Sequence, residues 1–211
     1  IQDNGIGMDE NDMQANLGTI AKSGTEDFIK KLGDKKGDIN QIGKFGVGFY
    51  SSFMVSDQVV VRSKKYDSSS SYLWTSDGKG TFSIEPTEFN MLGTEITLSI
   101  KKDEDEFLSK YRIEEIVKKY SDFVPFPIFV TSEEDKKEKK DKEEKEEQVN
   151  SAEAIWLKDK TKIKEDEYKS FFNQTSTYYD EPLQTIHFKA EGVVNYTALL
   201  YLPKSQPQDL Y

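Results

Sequence analysis

Four short segments in the first half of the chain are rich in β-branched and aromatic residues, and Gly, Ser or Asp residues bound them. This pattern predicts antiparallel β-strands. We expect them over residues 58–64, 71–76, 80–86 and 93–100. Near the end of the chain, the segments LQTIHFKAEG and VVNYTALLYLP predict two further strands that turn near Gly192.

Helical patterns occur in three other segments. Residues 9–17 suit a short helix with Asp9 as its N-cap, because an Asp side chain at that position accepts backbone N–H bonds. Residues 163–174 suit another. The longest predicted helix covers residues 104–120 and is stopped by two prolines that follow it. Its apolar residues recur at helical spacing and are Phe107, Leu108, Tyr111, Ile116, Val117 and Tyr120.

One segment indicates a domain boundary. Residues 133–147, EEDKKEKKDKEEKEE, contain nine acidic residues, six lysines and no apolar residue, so they have no face that could pack against a core. The segment is disordered, or a solvated helix supported by Glu–Lys pairs four residues apart. We expect a flexible linker over residues 133–150, not a dedicated binding tail. It would join a first domain (1–132) to the beginning of a second (151–211).

Composition narrows the classes of function. The chain has 211 residues, of which 35% are hydrophobic, so it can bury a real core. The net charge of −10 argues against a nucleic-acid or anionic-membrane surface, which needs a basic face. The lack of cysteine excludes disulfides and thiolate zinc sites. No apolar run approaches the roughly 18 residues that span a bilayer, so we expect a soluble intracellular protein with no nucleic-acid or membrane partner.

Three glycines lie within six residues of one another, at Gly43, Gly46 and Gly48, directly before an apolar run (49–55) that suits a buried helix. Their spacing fits neither a Walker phosphate loop nor a Rossmann fingerprint. The single histidine, His187, argues against metal triads and histidine bases. Two interpretations stay open: a tight turn, or an anion site in which backbone N–H groups at a helix N-terminus face a phosphate.

A second glycine motif, DNGIGM, covers residues 3–8 and follows an apparent strand end. The Asp3 carboxylate could accept a hydrogen bond from an exocyclic amine such as that of adenine. Gly5 and Gly7 would leave room for a flat ring against the backbone. The alternative is an ordinary β-turn, since Asn-Gly is a strong turn dipeptide.

Together, these motifs and two others resemble the heat-shock protein 90 family of chaperones. The four motifs, in order, are DNGIGM (3–8), LGTIAKSGT (17–25), GKFGVGFYSSF (43–53) and GTEITL (93–98). The resemblance continues through KKYSDFVPFPI (118–128), the charged segment and AIWLKDKTKI (154–163), and it covers nearly the whole chain. DNGIGM alone would also fit gyrase B, MutL and histidine kinases, which share the ATP-binding fold.

The resemblance implies an α+β fold, namely a two-layer sandwich of the Bergerat (GHKL) type that binds ATP or ADP, followed by a charged linker and the start of an α/β middle domain. Asp3 would bind the adenine amino group, and Gly7 and Thr94 would hold a water beside it. The other implied nucleotide-binding residues are Met8 and Phe49 at the base and sugar, Asn16 at the ribose and phosphates, Lys22 on a lid, and the backbone of Gly43, Gly46, Val47, Gly48 and Phe49 at the phosphates.

The resemblance also implies a mechanism. A lid, roughly residues 17–42, would close over ATP in a slow hydrolytic cycle, with Mg²⁺, that remodels client proteins under stress. The protein would be a homodimer through regions outside this segment. The family's catalytic glutamate and magnesium-binding asparagine precede DNGIGM, so we assign no catalytic or metal residue here. Lys44 stands where the family usually has glutamine.

Two other classes of function stay open from the sequence. One is a different ATPase of the same fold, of the topoisomerase or mismatch-repair type. The other is an interaction domain that does not hydrolyse nucleotide. We expect a cytoplasmic location, with an organellar compartment as the alternative.

Overall fold

The computed structural model describes residues 1–19, 45–133, 147–176, 181–192 and 195–205. They fall into two compact units, Ile1–Leu108 and Ser109–Tyr211. The proposed nucleotide contacts Lys22 and Gly43, the neighbouring Lys44, and most of the predicted lid and charged linker lie outside the described residues. The domain boundaries expected from the sequence stay a prediction.

The first unit contains a five-stranded antiparallel sheet with the strand order β1-β5-β2-β3-β4. The strands are β1 (Gln2–Asp3), β2 (Ser56–Lys64), β3 (Ser71–Ser76), β4 (Phe82–Thr87) and β5 (Gly93–Ile100). The four strands predicted in this half of the chain are therefore confirmed, at nearly the predicted bounds.

A helix, α1 (Glu10–Leu17), lies between β1 and β2 in the chain. The Asp9 carboxylate accepts the backbone N–H of Asp12 at 2.9 Å, and the Asp12 carboxylate accepts that of Asp9 at 3.2 Å. This reciprocal capping satisfies two N–H groups that the first helical turn leaves unpaired. Asp9 is confirmed as the N-cap.

The apolar run after the glycine cluster is helical but short. It forms a 3-10 turn, Gly48–Ser51, and a single α-helical turn, α2 (Ser52–Val55). None of its residues is buried, and Met54 is 73% exposed. The prediction of a buried helix is therefore wrong in length and in burial, because so short a run turns only one side toward the sheet. That side carries Phe49 and Phe53, whose rings lie 5.6 and 6.5 Å from the Trp74 ring.

The core of the first unit lies on one face of the sheet. Val59 and Val61 of β2 are fully buried, and Trp74 of β3, which pairs with Val61, is almost so. Met13 of α1 packs against them and is also fully buried. Side chains alternate between the faces of a strand, so Ser63 shares the face of the two valines, and it too has no exposed surface.

The second unit combines helices with a two-stranded antiparallel sheet. Its elements are α3 (Lys110–Tyr120), a 3-10 turn (Ile155–Leu157), α4 (Glu165–Thr175), β6 (Pro182–Ala190) and β7 (Tyr196–Pro203). The predicted strand pair and the helix near residues 163–174 are confirmed, as is the α+β class. Among the described residues, no helix is both long and apolar enough to cross a membrane.

The long helix predicted over residues 104–120 is interrupted. A 3-10 turn covers Asp105–Leu108, and α3 begins after Ser109, whose hydroxyl caps the Arg112 amide. Serine at this place ends one helical segment and starts the next, because its side chain competes for backbone N–H groups. Much of the predicted apolar face is exposed: Leu108, Tyr111 and Tyr120 are each more than 70% accessible.

An asparagine organises the proline-rich segment after α3. Asn150 is 4% exposed, and its side-chain oxygen accepts the Ile128 amide at 2.8 Å. Its side-chain NH₂ donates to the carbonyls of Val124 and Phe126, both at 3.0 Å. The prolines of this segment have no N–H to donate. The Asn150 side chain therefore forms backbone hydrogen bonds that a neighbouring strand would otherwise form.

The single histidine has a structural role in the second unit. His187 on β6 lies 2.9 Å from the Trp156 carbonyl through Nε2 and 2.7 Å from the Tyr168 hydroxyl through Nδ1. A carbonyl only accepts, so Nε2 carries a proton and donates it to Trp156. Tyr168 in turn accepts, through its carbonyl, the hydroxyl of Tyr201 at 2.9 Å. Burial raises the pKa of Tyr201 to about 12.

Candidate functional site

The first motif places two of the predicted ligand contacts side by side. Asp3 at the end of β1 pairs directly with Thr94 in β5. Directly opposed residues of an antiparallel pair point to the same face, with Cβ atoms about 5 Å apart. One Asp3 carboxylate oxygen accepts the Gly5 amide at 2.8 Å. Among the described residues, no group donates to the other oxygen, and Asp3 is exposed.

The glycines around this pair are required by close backbone approach. Gly7 has φ +68°, and a Cβ there would lie 2.0 Å from the Lys64 carbonyl oxygen. Gly93 has φ +106°, and a Cβ there would lie 2.2 Å from the Asp3 carbonyl oxygen. Both conformations are left-handed ones that side chains disfavour. Gly7 was expected to leave room for a ring, but in the structure the backbone of β2 already occupies that side of the residue.

A residue that the sequence analysis missed connects this motif to the sheet. The Ser63 hydroxyl accepts the Met8 amide at 2.8 Å, donates to the Gly93 carbonyl at 2.8 Å, and lies 3.0 Å from the Thr94 hydroxyl. Three predicted site residues, Asp3, Met8 and Thr94, are thus brought together around β1, β2 and β5. A signal was available, since a serine follows Val59 and Val61 on the same buried face.

The start of α1 is fixed to the end of β2 by a second missed residue. The Lys65 ammonium lies 2.7 Å from carboxylate oxygens of both Asp9 and Asp12. The hydrogen bond from Lys65 is the main reason why the pKa of Asp9 is lowered. The hydrogen bonds from Asp12 and then Asp9 raise the pKa of Lys65 well above its usual range. These contacts anchor α1, whose last turn carries the predicted contact Asn16, which is half-buried.

The second glycine motif contacts the same core through Phe49. Phe49 packs edge-on against Trp74, and both Phe49 and Met8 pack against the buried cluster of the sheet. The Tyr50 hydroxyl donates to the Leu17 carbonyl at 3.0 Å, and burial raises the pKa of Tyr50. The 3-10 turn is therefore joined to the last turn of α1, next to Asn16.

The remaining phosphate contacts predicted from sequence lie on an open part of this motif. Gly46 has φ +62°, and Val47 is 52% exposed. Within the described residues, no side chain caps the 3-10 turn that begins at Gly48. A Cβ built on Gly48 would meet no atom of these residues within 4 Å. Glycine at this position is therefore not required by any described protein contact, unlike Gly7.

The described residues supply no metal site. No three His, Asp or Glu side chains in these parts of the chain are grouped so that they could hold an ion. The Mg²⁺ expected with a nucleotide is therefore not assigned ligands here. The chemistry that the arrangement can perform is recognition: acceptors at Asp3 and Thr94, apolar surface at Met8 and Phe49, and open backbone at the 3-10 turn.

Two family models match the chain. Residues 1–104 match the model described as "Histidine kinase-, DNA gyrase B-, and HSP90-like ATPase". Residues 106–148 and 131–211 match the model described as "Hsp90 protein". The second model is specific to one branch of the ATPases that share the first, so it favours that branch over the topoisomerase and mismatch-repair types.

Curated relatives agree with this assignment. The chain is 50% identical over 212 residues to the chaperone protein HtpG of Wolinella succinogenes, and 49% identical over 218 residues to that of Helicobacter pylori. It is 45% identical over 212 residues to the HtpG of Paramagnetospirillum magneticum. Each comparison covers 100% of this chain but only 33–35% of the relative. The chain therefore spans about a third of the length of these proteins.

Proposed function

Since the chain belongs to the Hsp90 family, we propose that its first unit binds ATP and that the full-length protein is an ATP-dependent chaperone. The observation that carries the proposal is the direct pairing of Asp3 with Thr94 across β1 and β5. It sets two hydrogen-bond acceptors side by side at the exposed end of the core face.

The adenine ring is recognised at this end of the site. Its exocyclic amine donates to the Asp3 oxygen that no described group occupies, while the Gly5 amide holds the other oxygen. A hydrogen bond to a charged acceptor contributes roughly 1.5–3 kcal/mol. Thr94, with Gly7, holds a water beside the base, and Met8 and Phe49 supply apolar surface to the base and sugar.

The phosphates lie along the second glycine motif. Backbone N–H groups at the start of a helical turn attract anions, since no carbonyl of that turn pairs with them. The open space at Gly48 supports this placement. The backbone of Gly43, Gly46, Val47 and Phe49 completes the contact, and Asn16 reaches the ribose and phosphates from α1.

The wider cycle follows from this site. Residues 17–42, with Lys22, close over ATP, and slow hydrolysis to ADP is coupled to the remodelling of client proteins. Binding drives closure only to the extent that the γ-phosphate binds the closed state better than the open one. The catalytic glutamate lies upstream of Ile1 in the full-length protein. We further propose that this protein is a cytoplasmic homodimer without nucleic-acid or membrane partners. Mg²⁺ accompanies the nucleotide.

The proposal is tested with Asp3→Asn in the full-length protein. The substitution replaces the carboxylate by an amide. The amide NH₂ can face the adenine amino group, and two donors do not form a hydrogen bond. We expect ATP affinity, measured by titration calorimetry, to fall about tenfold to a hundredfold, as loss of a charge-assisted bond would produce. Circular dichroism and the melting temperature should stay unchanged.

A matched control is Asp67→Asn, which alters an exposed carboxylate in the turn after β2. It should leave ATP affinity unchanged. If Asp3→Asn binds ATP within twofold of the wild type, the assignment of Asp3 to adenine is wrong. If the wild type itself does not bind ATP, the proposed function fails as a whole.

A further inference from the structure

We infer that Ser63 is a positioning residue that sets the direction of the Thr94 hydroxyl and thereby makes the site select a hydrogen-bond donor on the ligand. The inference rests on the proposed function, because it concerns the same site. Ser63 is paired with Thr94 in the neighbouring strand and has no exposed surface, so it does not touch a ligand.

The Ser63 hydroxyl can form only a limited set of hydrogen bonds. Ser63 has one proton and two acceptor lone pairs. The Met8 N–H is a donor and the Gly93 carbonyl is an acceptor, and each lies 2.8 Å from the Ser63 oxygen. When Ser63 accepts from Met8 and donates to Gly93, one lone pair is left. The third neighbour, the Thr94 hydroxyl at 3.0 Å, fills it by donating its proton.

This assignment satisfies every polar group of a buried cluster, which is the rule in protein interiors. The reverse assignment, in which Ser63 donates to Thr94, would give up the bond to the Gly93 carbonyl and leave a Ser63 lone pair unused. Ser63 and Thr94 are register partners, and Ser63 has no exposed surface, so water does not compete for the three bonds of its hydroxyl. The Thr94 proton is therefore committed to Ser63.

A consequence follows for the ligand. With its proton committed, Thr94 offers only lone pairs to the exposed side, where the Asp3 carboxylate, paired directly with it, also offers only lone pairs. Both groups thus accept; a water held between them would donate one proton to each and itself accept from the ligand. An amino group facing this pair donates to it, whereas an oxo group at the same position presents only lone pairs to it.

The experiment compares ATP with ITP, which carries an oxo group in place of the 6-amino group. Affinities for both are measured by titration calorimetry on the full-length protein. We expect the wild type to prefer ATP. In Ser63→Ala the Thr94 hydroxyl is free to rotate and donate, so ATP affinity should fall and the preference for ATP over ITP should narrow by about tenfold. Ser63→Thr keeps the hydroxyl and should restore the preference.

Two further variants separate positioning from stability. Ser71→Ala removes another buried hydroxyl that donates to a carbonyl, that of Thr87, and accepts an amide, that of Phe89. It should leave both affinities unchanged. In a Thr94→Val background, Ser63→Ala should no longer change the preference, because the hydroxyl that it positions is gone; such coupling is what a double-mutant cycle measures.

The outcomes are distinct. If Ser63→Ala weakens ATP and ITP by the same factor, or narrows the preference equally with and without Thr94, the inference is overturned while ATP binding stands. If the wild type binds neither nucleotide, the proposed function fails first. If Ser63→Ala does not fold, the inference is decided by Ser63→Thr and by Thr94→Val: the first must keep the preference and the second must narrow it.

Discussion

The two glycine motifs of the first unit look alike in sequence but are built differently. In DNGIGM, the protein itself needs Gly7, because a side chain there would collide with the Lys64 carbonyl. In the second motif, Gly48 borders open space, and no described atom would meet a side chain there. The first motif is also held by the bonds of Ser63, whereas no side chain in the described part of the chain caps the 3-10 turn of the second.

The difference teaches that a glycine can serve either the fold or a ligand, and that only the structure separates the two. A glycine that lies against another backbone segment is required for folding, so its replacement should lower the free energy of unfolding even without a ligand. A glycine facing open space costs the fold nothing when replaced, so a reason for keeping it has to come from what binds there. Substitutions at the two positions should therefore separate stability from affinity.

Gly7→Ala should have the largest effect. It combines a left-handed backbone with a Cβ 2.0 Å from a carbonyl oxygen, so the loop or the end of β2 has to move. We expect a loss of about 3 kcal/mol in the free energy of unfolding of the full-length protein, from strain and displaced packing. Urea denaturation followed by circular dichroism measures it.

The control for Gly7→Ala is Gly80→Ala. Gly80 also has a positive φ, +96°, but a Cβ there would meet no atom of the described residues within 4 Å. The free energy of unfolding of Gly80→Ala should fall by about 1 kcal/mol, which is the cost of a left-handed backbone at a residue with a side chain. Equal losses at the two positions would show that the contact with Lys64 does not matter and would remove the main contrast drawn here.

Lys65→Met should have an intermediate effect. It removes the ammonium that joins α1 to the end of β2, and it keeps much of the apolar stem. Because Lys65 and its two partners are partly exposed, we expect a loss of about 1 kcal/mol at neutral pH, after allowance for solvent screening. Lys79→Met is the control, since the Lys79 side chain is 84% exposed and its pair with Asp77 is 3.6 Å long.

The pH dependence of this loss has a defined sign. The pKa of Asp9 is lowered in the folded state, chiefly by the hydrogen bond from Lys65. The stabilisation is therefore present above the unfolded pKa of Asp, about 3.9, and is lost as pH falls through the lower folded value. The difference between wild type and Lys65→Met, measured by urea denaturation, should be constant near neutrality and shrink below about pH 4. A difference that grows on acidification would contradict this account.

Gly48→Ala should have the smallest effect on stability and a clear effect on binding. Its φ is not positive, and no atom of the described residues would meet the added Cβ, so the free energy of unfolding should change by no more than about 0.5 kcal/mol. ATP affinity should fall, because the added methyl group occupies the space proposed for phosphate. Gly192→Ala, which is equally open but lies in the second unit, should change neither quantity. A large loss of stability at Gly48 would erase the contrast between the motifs.

Much of the local structure was predictable from the sequence. Asp9 was predicted as an N-cap because an Asp directly before a helical pattern is a local signal. Its capping partner Asp12, three residues away, was not named from the sequence and is seen in the structure. The strands of the first unit were found because β-branched residues and turn residues mark them locally. Local signals did not predict where one helical segment ends and the next begins. The 104–120 region has a helical pattern throughout, yet Ser109 divides it by capping a new helix.

The site was predictable in its parts but not in its connections. Asp3, Thr94 and Phe49 were named from motifs, and the structure brings Asp3 and Thr94 together. Ser63 and Lys65 were missed because their partners lie 55 and 56 residues away in the chain. The order of strands in the sheet decides which strand end contacts which loop. A short sequence pattern does not predict that order. The buried polar position after Val59 and Val61 was the one usable hint.

The packing of the two tryptophans gives the molecule an optical property. Trp74 and Trp156 are the only tryptophans of the chain, and each belongs to a different unit. The Trp74 ring lies against Phe49 of the second glycine motif, so its fluorescence should respond when a nucleotide contacts that motif. Trp156 lies against Phe123 and Phe171, within the second unit. In single-tryptophan variants, emission therefore follows ligand binding and unfolding in one unit at a time, with no dye attached.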